Sequence, residues 1–149
     1  MITIKTPAEI ALMRESGKLT RDVLELAGRS IRPGMTTKEL DKIAHDFIRD
    51  NGAYPSFLGY GGYPASTCIS INDMVVHGIP SDDIIIREGD IVSVDVGTIL
   101  NGWQGDAART FAVGEMSEEK KKLVKVTEEC LFKAVENLKS GTPLGDIGY

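Results

Sequence analysis

The chain has 149 residues, enough for one domain with a sizeable core and too few for two independent domains. Its 42% hydrophobic and 26% charged residues exclude a disordered chain, and its apolar runs are too short to span a membrane. The formal net charge of -5 argues against nucleic acid as a main ligand, and the two cysteines and the N-terminus without a signal-peptide pattern predict a reduced, cytoplasmic location.

Two helices are predicted in the first third of the chain, each from a capping box. Residues 6–9 combine a threonine cap, a proline at the first helical position and a glutamate three residues after the cap, and residues 32–34 end this helix. Residues 36–39 repeat the threonine and glutamate spacing, and the Asn-Gly pair at 51–52 ends the second helix.

The middle of the chain predicts a loop followed by strands. Residues 54–66 are rich in glycine and aromatic residues, which predicts a shaped loop. Short strands are predicted at 68–72 and 74–78. A long hairpin is predicted over residues 91–113, with the Asn-Gly pair at 101–102 as a type I′ turn.

The last part of the chain predicts further helices and an internal repeat. Ser117 caps one helix, on whose apolar side Cys130 is predicted to be a core residue. A glycine followed by a threonine-capped helix occurs at residues 34–37 and again at 141–143. The repetition predicts a two-repeat protein, of which these residues form the first repeat and the opening of the second, with second-repeat helices beginning near residue 117.

The hairpin places two carboxylates on one face of the sheet. With the Asn-Gly turn as its loop, Gly97 pairs with Asp106 and Asp95 pairs with Ala108, so the two aspartates are diagonal neighbours roughly 7–8 Å apart at the backbone. Carboxylates at this spacing can converge on a divalent ion. Small residues at Gly97, Gly105 and Ala108 are predicted to keep that face open. The alternative is a hairpin whose polar residues only face water, namely Ser93, Asp95, Gln104, Asp106 and Thr110.

Other side chains leave a functional and a structural interpretation open. His77 can exchange a hydrogen bond with a substrate amide, or it can be a partly buried histidine bonded to backbone. His45 is predicted to be a surface or packing residue. Cys68 has no nearby base or second thiol, which predicts an inert pocket or core thiol. The glycine-rich loop carries three aromatic residues, Phe57, Tyr60 and Tyr63. They either pack the loop against itself or form the wall of an apolar pocket.

Taken in order, the strings GYGGYP, STCISINDMVVHGIP and VDVGTILNGWQGDAARTF resemble the type I methionine aminopeptidases over nearly the whole chain. The resemblance implies an α/β (α+β) pita-bread fold of two pseudo-symmetric halves, with residues 1–149 as a single N-terminal unit. It implies a cytoplasmic, metal-dependent hydrolase that removes the initiator methionine from nascent polypeptides. It allows association with the ribosome and implies no nucleic-acid or membrane partner.

The resemblance also implies roles for individual residues. Asp95 and Asp106 match ligands of two divalent metal ions, with cobalt, manganese, iron and zinc all compatible. His77 matches a catalytic residue that hydrogen-bonds the substrate. The wall of the methionine pocket is matched by Phe57, Tyr60, Tyr63 and Cys68.

In that family the remaining metal ligands, one histidine and two glutamates, belong to the second half of the enzyme. The chain by itself is therefore expected to be inactive and to bind metal weakly. Two rivals share the fold: a proline-specific peptidase and a noncatalytic binding module. The tyrosine-rich loop with Cys68 favours a methionine pocket over the first rival, and the joint presence of Asp95, Asp106 and His77 argues against the second.

Overall fold

The computed structural model describes residues 3–148 apart from the side chain of Asn137, and Met1, Ile2 and Tyr149 lie outside the described residues. The described chain begins with two helices. Helix α1 spans Pro7–Ser30 and helix α2 spans Thr37–Asp50. In each, the N-cap threonine hydroxyl accepts a hydrogen bond from the backbone N–H of a glutamate three residues on, and that glutamate accepts one from the cap backbone. Both predicted capping boxes are confirmed.

The four strands form one antiparallel sheet built around its longest hairpin. They are β1 (Tyr54–Pro55), β2 (Thr67–Ile71), β3 (Ile91–Leu100) and β4 (Trp103–Ala112). Strand β3 lies in the middle, with β4 along one edge and with β1 and β2 paired to opposite ends of its other edge. Asn101 and Gly102 have φ angles of 51° and 81°, which confirms the predicted type I′ turn.

The predicted strand at residues 74–78 is wrong. Asn72 takes a left-handed backbone with φ of 54°, which turns the chain out of the sheet at the end of β2. The chain returns to β2 at Gly78, whose carbonyl oxygen accepts a hydrogen bond from Ile69 N–H at 2.8 Å. The predicted loop at 54–66 is also less uniform than expected, because β1 and a 3-10 turn at Tyr60–Gly62 interrupt it.

The hydrophobic core lies between the two helices and one face of the sheet. Helix α1 packs against β3 and β4, and α2 packs against β1 and β2. Alternate residues of β3 point into this core, as the period of a half-buried strand requires. Each fully buried branched side chain contributes roughly 1.5–3 kcal/mol of transfer free energy. The central members of the core are completely buried: Leu40, Ile48, Val92, Val94 and Val96.

A cluster of hydroxyl groups joins α1 to the sheet inside this core. Thr98 Oγ1 lies 2.8 Å from Thr20 Oγ1 and 3.1 Å from Ser16 Oγ. Gly105 pairs with Thr98 and also faces α1, where a Cβ atom would collide with the Thr20 hydroxyl. The prediction that Gly105 opens the carboxylate face is therefore wrong, because it is one position out of phase with Asp106.

A second unit begins at Met116, after the first unit ends at Glu115. It contains α3 (Glu118–Asn137), capped by Ser117 as predicted, and the one-turn helix α4 (Gly145–Gly148). Cys130 is exposed, so its predicted place in a core is wrong. A unit this small buries little apolar surface by itself. Other apolar residues of α3 are exposed as well, Leu123, Val126, Leu131, Phe132 and Val135.

Among the helices that the structure describes, none has the length and apolar character needed to cross a membrane.

Candidate active site

The two predicted carboxylates lie on the sheet face opposite the helices. Asp106 pairs with Gly97, and Asp95 pairs with Ala108 on β4 and with Cys68 on β2. This is the register that the Asn-Gly turn predicts. Because residues directly opposite in a sheet share a face, the pairing brings both aspartates and the Cys68 thiol together.

Electrostatics at this face favour a cation. Burial raises the pKa of the Asp95 carboxyl, the negative charge of Asp106 raises it further, and His77 opposes the rise. Two carboxylates that repel each other across a small gap are stabilised by a divalent ion between them, and oxygen is a ligand that such ions accept. The donor set therefore fits a metal ion, with Asp95 half-buried and Asp106 exposed.

The pair supplies only part of a ligand set. In the part of the chain that the structure describes, no group of three or more histidine, cysteine, aspartate or glutamate side chains is arranged to hold a metal ion. Catalytic metal centres use three or more protein ligands. Asp95 and Asp106 can therefore contribute to a metal centre but cannot complete one.

Phe57 covers one end of the carboxylate face. A Cβ atom built on Gly97 would collide with Ser56 Oγ and would lie 2.8 Å from Phe57 Cε1. Ser56 N–H also donates a hydrogen bond to the Gly97 carbonyl at 3.0 Å. The missing side chain at Gly97 thus lets the aromatic loop lie directly on β3, next to the position of Asp106.

Cys68 and Tyr63 form a second wall beside Asp95. Cys68 is only 7% exposed. Burial raises the pKa of its thiol, a hydrogen bond with Tyr63 opposes the rise, and the Asp95 charge adds to it. Burial likewise raises the pKa of the Tyr63 hydroxyl. Both groups are therefore neutral near pH 7, and an uncharged Cys68 agrees with the predicted inert pocket thiol.

His77 belongs to an irregular segment, since the strand predicted to carry it does not form. Its backbone is left-handed with φ of 59°, an uncommon conformation for a residue other than glycine. The side chain is exposed, and its effect on the pKa of Asp95 puts it within electrostatic reach of that carboxylate. Tyr60, by contrast, is 83% exposed in its 3-10 turn.

Asp41 is a supporting residue that the sequence analysis overlooked. Its carboxylate, 5% exposed, accepts hydrogen bonds from Ser66 N–H, Thr67 N–H and the Thr67 hydroxyl. These contacts fix the start of β2, immediately before Cys68. The sequence did contain a signal, because Asp41 directly follows Leu40, a buried residue of α2. An aspartate next to the buried side of a helix indicates a buried charge, and a buried charge needs several hydrogen-bond donors.

His45 is partly buried, and its Nδ1 lies 2.7 Å from Ser66 Oγ, which fits the predicted packing role. It borders an open concavity of about 520 Å³ lined by residues of α2, by the loop before β2 and by Asp82. None of the predicted site residues lines this concavity.

Known proteins resemble the chain in sequence and in fold. The methionine aminopeptidase of Clostridium acetobutylicum is 55% identical over 149 residues, which cover all of this chain and 60% of that protein. Methionine aminopeptidase 1 of Bacillus subtilis is 46% identical, again over all of this chain and 60% of the relative. The chain therefore spans about 60% of the length of these relatives.

Among solved structures, methionine aminopeptidase from Rickettsia prowazekii superposes with a TM-score of 0.97 at 42% identity, covering all of this chain and 60% of that one. The Xaa-Pro dipeptidase from Bacillus anthracis superposes with a TM-score of 0.80 at 28% identity, covering 91% of this chain and 37% of that one. These likenesses confirm the expected pita-bread fold, with the described sheet and helices matching its first half. The sequence also matches the model of metallopeptidase family M24 over residues 11–149, and the chain belongs to that family.

Proposed function

We propose that this chain is part of a cytoplasmic aminopeptidase that depends on divalent metal and removes the initiator methionine from nascent proteins. The observation that carries the proposal is the sheet face shared by Asp95, Asp106 and Cys68. The names and identities of the relatives support the same activity. The substrates would be the N-termini of polypeptides at or near the ribosome.

In this proposal Asp95 and Asp106 would supply part of the ligands for a pair of divalent ions, with cobalt, manganese, iron or zinc as candidates. When bound, such ions lower the pKa of a coordinated water molecule and polarise the scissile carbonyl. The two carboxylates would offset part of the positive charge of the ions. The exposed imidazole of His77 is free to hydrogen-bond the reacting amide of the peptide.

The methionine side chain would lie against Phe57, Tyr63 and Cys68, with Tyr60 at the rim. The neutral thiol and phenol, together with the ring of Phe57, offer a mainly apolar wall. An unbranched thioether can adapt to such a wall, whereas a charged side chain would lose water without gaining a partner. The proposal therefore predicts selection for a slim, flexible first residue.

The metal role is tested by Asp106→Asn, with Asp50→Asn at the exposed end of α2 as the matched control. In the complete enzyme, Asp106→Asn should lower kcat/KM by more than about 100-fold, because even changes that only orient a ligand cost about 10- to 100-fold. Titration with Mn²⁺ should also raise the unfolding midpoint of the control and not that of Asp106→Asn. Full turnover and full metal loading of Asp106→Asn would refute the assignment.

Substrate choice is tested with peptides that differ only at the first residue. Met-initiated peptides should be cleaved at least about tenfold faster than Val- or Lys-initiated ones, since a shape or charge mismatch in a pocket costs about 10- to 200-fold. Preference for Xaa-Pro peptides would favour the second candidate function, a proline-specific peptidase. The observation that supports this candidate is the fold likeness to the Xaa-Pro dipeptidase. Metal-independent binding of peptides without cleavage would favour a noncatalytic module.

A further inference from the structure

One hydroxyl group joins the two segments that flank the proposed site. Tyr63 Oη donates to the carbonyl oxygen of Thr67 at 3.0 Å and to that of Gly78 at 3.3 Å. Thr67 comes immediately before Cys68, and Gly78 comes immediately after His77. The same O–H group thus touches the backbone next to the pocket wall and the backbone next to the histidine.

Gly78 is fastened to β2 by further contacts. Its carbonyl accepts a hydrogen bond from Ile69 N–H at 2.8 Å, and its own N–H donates to Ser70 Oγ at 3.1 Å. A Cβ atom at this position would collide with the Ile69 carbonyl oxygen, so the backbone of residue 78 lies flat against the strand. Together with Tyr63, these groups hold Gly78 by both its N–H and its C=O.

His77 needs such an anchor because its own backbone is strained. A left-handed backbone conformation is unfavourable for any residue with a Cβ atom, and it persists only where the surrounding structure enforces it. The neighbouring residues give little packing, since Val75 is 84% exposed and Val76 is 63% exposed. The polar contacts at Gly78 are therefore well placed to hold the imidazole near Asp95.

We propose that Tyr63 is a positioning residue for His77. Its hydroxyl group holds the Gly78 carbonyl against β2 and thereby keeps the imidazole beside the carboxylate face. The inference rests on the proposed function, because that function is what gives His77 a catalytic role. It assigns Tyr63 two separable tasks, because the ring lies against the pocket while the hydroxyl holds the histidine segment. Removing only the hydroxyl should then release the histidine segment and keep the ring in the pocket wall, although it also removes the hydrogen bond between Tyr63 and Cys68.

The test compares Tyr63→Phe with Tyr54→Phe, which removes a phenol hydroxyl from the exposed Tyr54 in β1. The first measurement needs no activity: in metal-free protein labelled with ¹⁵N, the amide exchange rate of Gly78 and the three-bond coupling constant of His77, which reports φ, are recorded. Tyr63→Phe should speed exchange at Gly78 by at least about tenfold and move the His77 coupling toward that of extended backbone. Tyr54→Phe should leave both unchanged.

The second measurement is kinetic and uses the complete enzyme with a Met-initiated peptide. Tyr63→Phe should lower kcat by about 10- to 100-fold, because a misplacement near 1 Å can cost about 100-fold. KM should stay within about threefold, since the ring against the methionine side chain is retained. A raised KM with unchanged kcat would overturn the proposal and leave Tyr63 as pocket wall alone.

Ser70→Ala provides an independent variant, because it cuts the bond to the Gly78 N–H and leaves Tyr63 intact. It should change the His77 coupling in the same direction, and an unchanged coupling would refute the idea that anchoring Gly78 positions His77 even if Tyr63→Phe does not fold. Unchanged exchange and coupling in a folded Tyr63→Phe variant would refute the clamp by Tyr63, whatever Ser70→Ala shows. If the wild-type enzyme shows no turnover of the peptide, the proposed function fails, while the amide measurements still decide whether Tyr63 positions His77.

Discussion

Replacing Asp41 by alanine is expected to lower the free energy of unfolding by about 3 kcal/mol. The carboxylate Oδ1 accepts hydrogen bonds from Ser66 N–H at 3.0 Å, Thr67 N–H at 2.9 Å and Thr67 Oγ1 at 2.8 Å. All three residues are buried, so alanine removes the acceptor from two backbone N–H groups in the interior. The two backbone donors are fixed in place by the chain and cannot turn toward another acceptor.

The magnitude follows from these two donors. Each buried N–H left without an acceptor costs about 1–3 kcal/mol, which together would give about 2–6 kcal/mol. The concavity that borders Asp41 lets water reach part of the vacated space, which favours the lower half of that range. The remaining contact, from Asp41 Oδ2 to the exposed Lys38 Nζ at 4.0 Å, adds little because it is screened by solvent.

Asp41→Asn separates the acceptor from the charge. The asparagine side-chain oxygen can accept the same three hydrogen bonds, so only the extra strength of a charged acceptor is lost, about 1 kcal/mol. Asp46→Ala is the matched control on the same helix, since its pair with Lys42 is exposed and should contribute less than about 1 kcal/mol.

Urea unfolding monitored by the fluorescence of Trp103, the single tryptophan, measures these differences in the unit that contains the site. The expected order of midpoints is control, then Asp41→Asn, then Asp41→Ala, with the slopes unchanged. If Asp41→Asn and Asp41→Ala lowered the free energy of unfolding equally, the charge of Asp41 and not its hydrogen-bond acceptor would be the stabilising feature. A loss for Asp41→Ala no larger than that of the control would refute the reasoning altogether.

Three further predictions concern Gly97, Gly17 and Glu9. Gly97→Ala should lower the free energy of unfolding by about 1–3 kcal/mol and displace the ring of Phe57, visible by crystallography, because the new methyl group has no room. Gly17→Ala, with nothing within 4 Å of the new atom inside α1, should instead raise it by up to about 1 kcal/mol in the same unfolding assay. Hydrogen bonds from Thr6 lower the pKa of Glu9 below 4.5, so the stabilisation by this carboxylate is present above pH 4.5 and disappears as the pH falls through the lowered value. Protection of the amides in the first turn of α1, measured relative to their intrinsic exchange at each pH, should fall over that acidic range in wild type and not in a Glu9→Gln variant, and identical profiles would contradict the capping role.

Several features of this protein could be predicted from short stretches of sequence. The capping boxes at residues 6–9 and 36–39 define where both helices begin, because the groups involved are three residues apart. The Asn-Gly turn at 101–102 determines the register of the long hairpin, and through it the shared face of Asp95 and Asp106. Even the error at Gly105 could have been avoided, since the same register assigns it to the opposite face.

Other features depended on contacts between residues far apart in the chain. The left-handed turn at Asn72 and the docking of Gly78 on β2 replaced the predicted strand at residues 74–78. The apolar pattern of α3 predicted a core position for Cys130, but burial depends on what packs against a helix, and this residue is exposed. Periodicity describes one element at a time and does not say whether a partner surface lies opposite.

The sequence by itself therefore determined the helix starts, the hairpin and the two carboxylates on one face, since each follows from hydrogen bonds between neighbours in the chain. Only the tertiary structure decided how the site is supported. Asp41 reaches Ser66 and Thr67 across 25 and 26 residues, and Tyr63 reaches Gly78 across 15. Such bonds form only after the helices and the sheet have packed, because packing sets the distance between donor and acceptor, which no local pattern encodes.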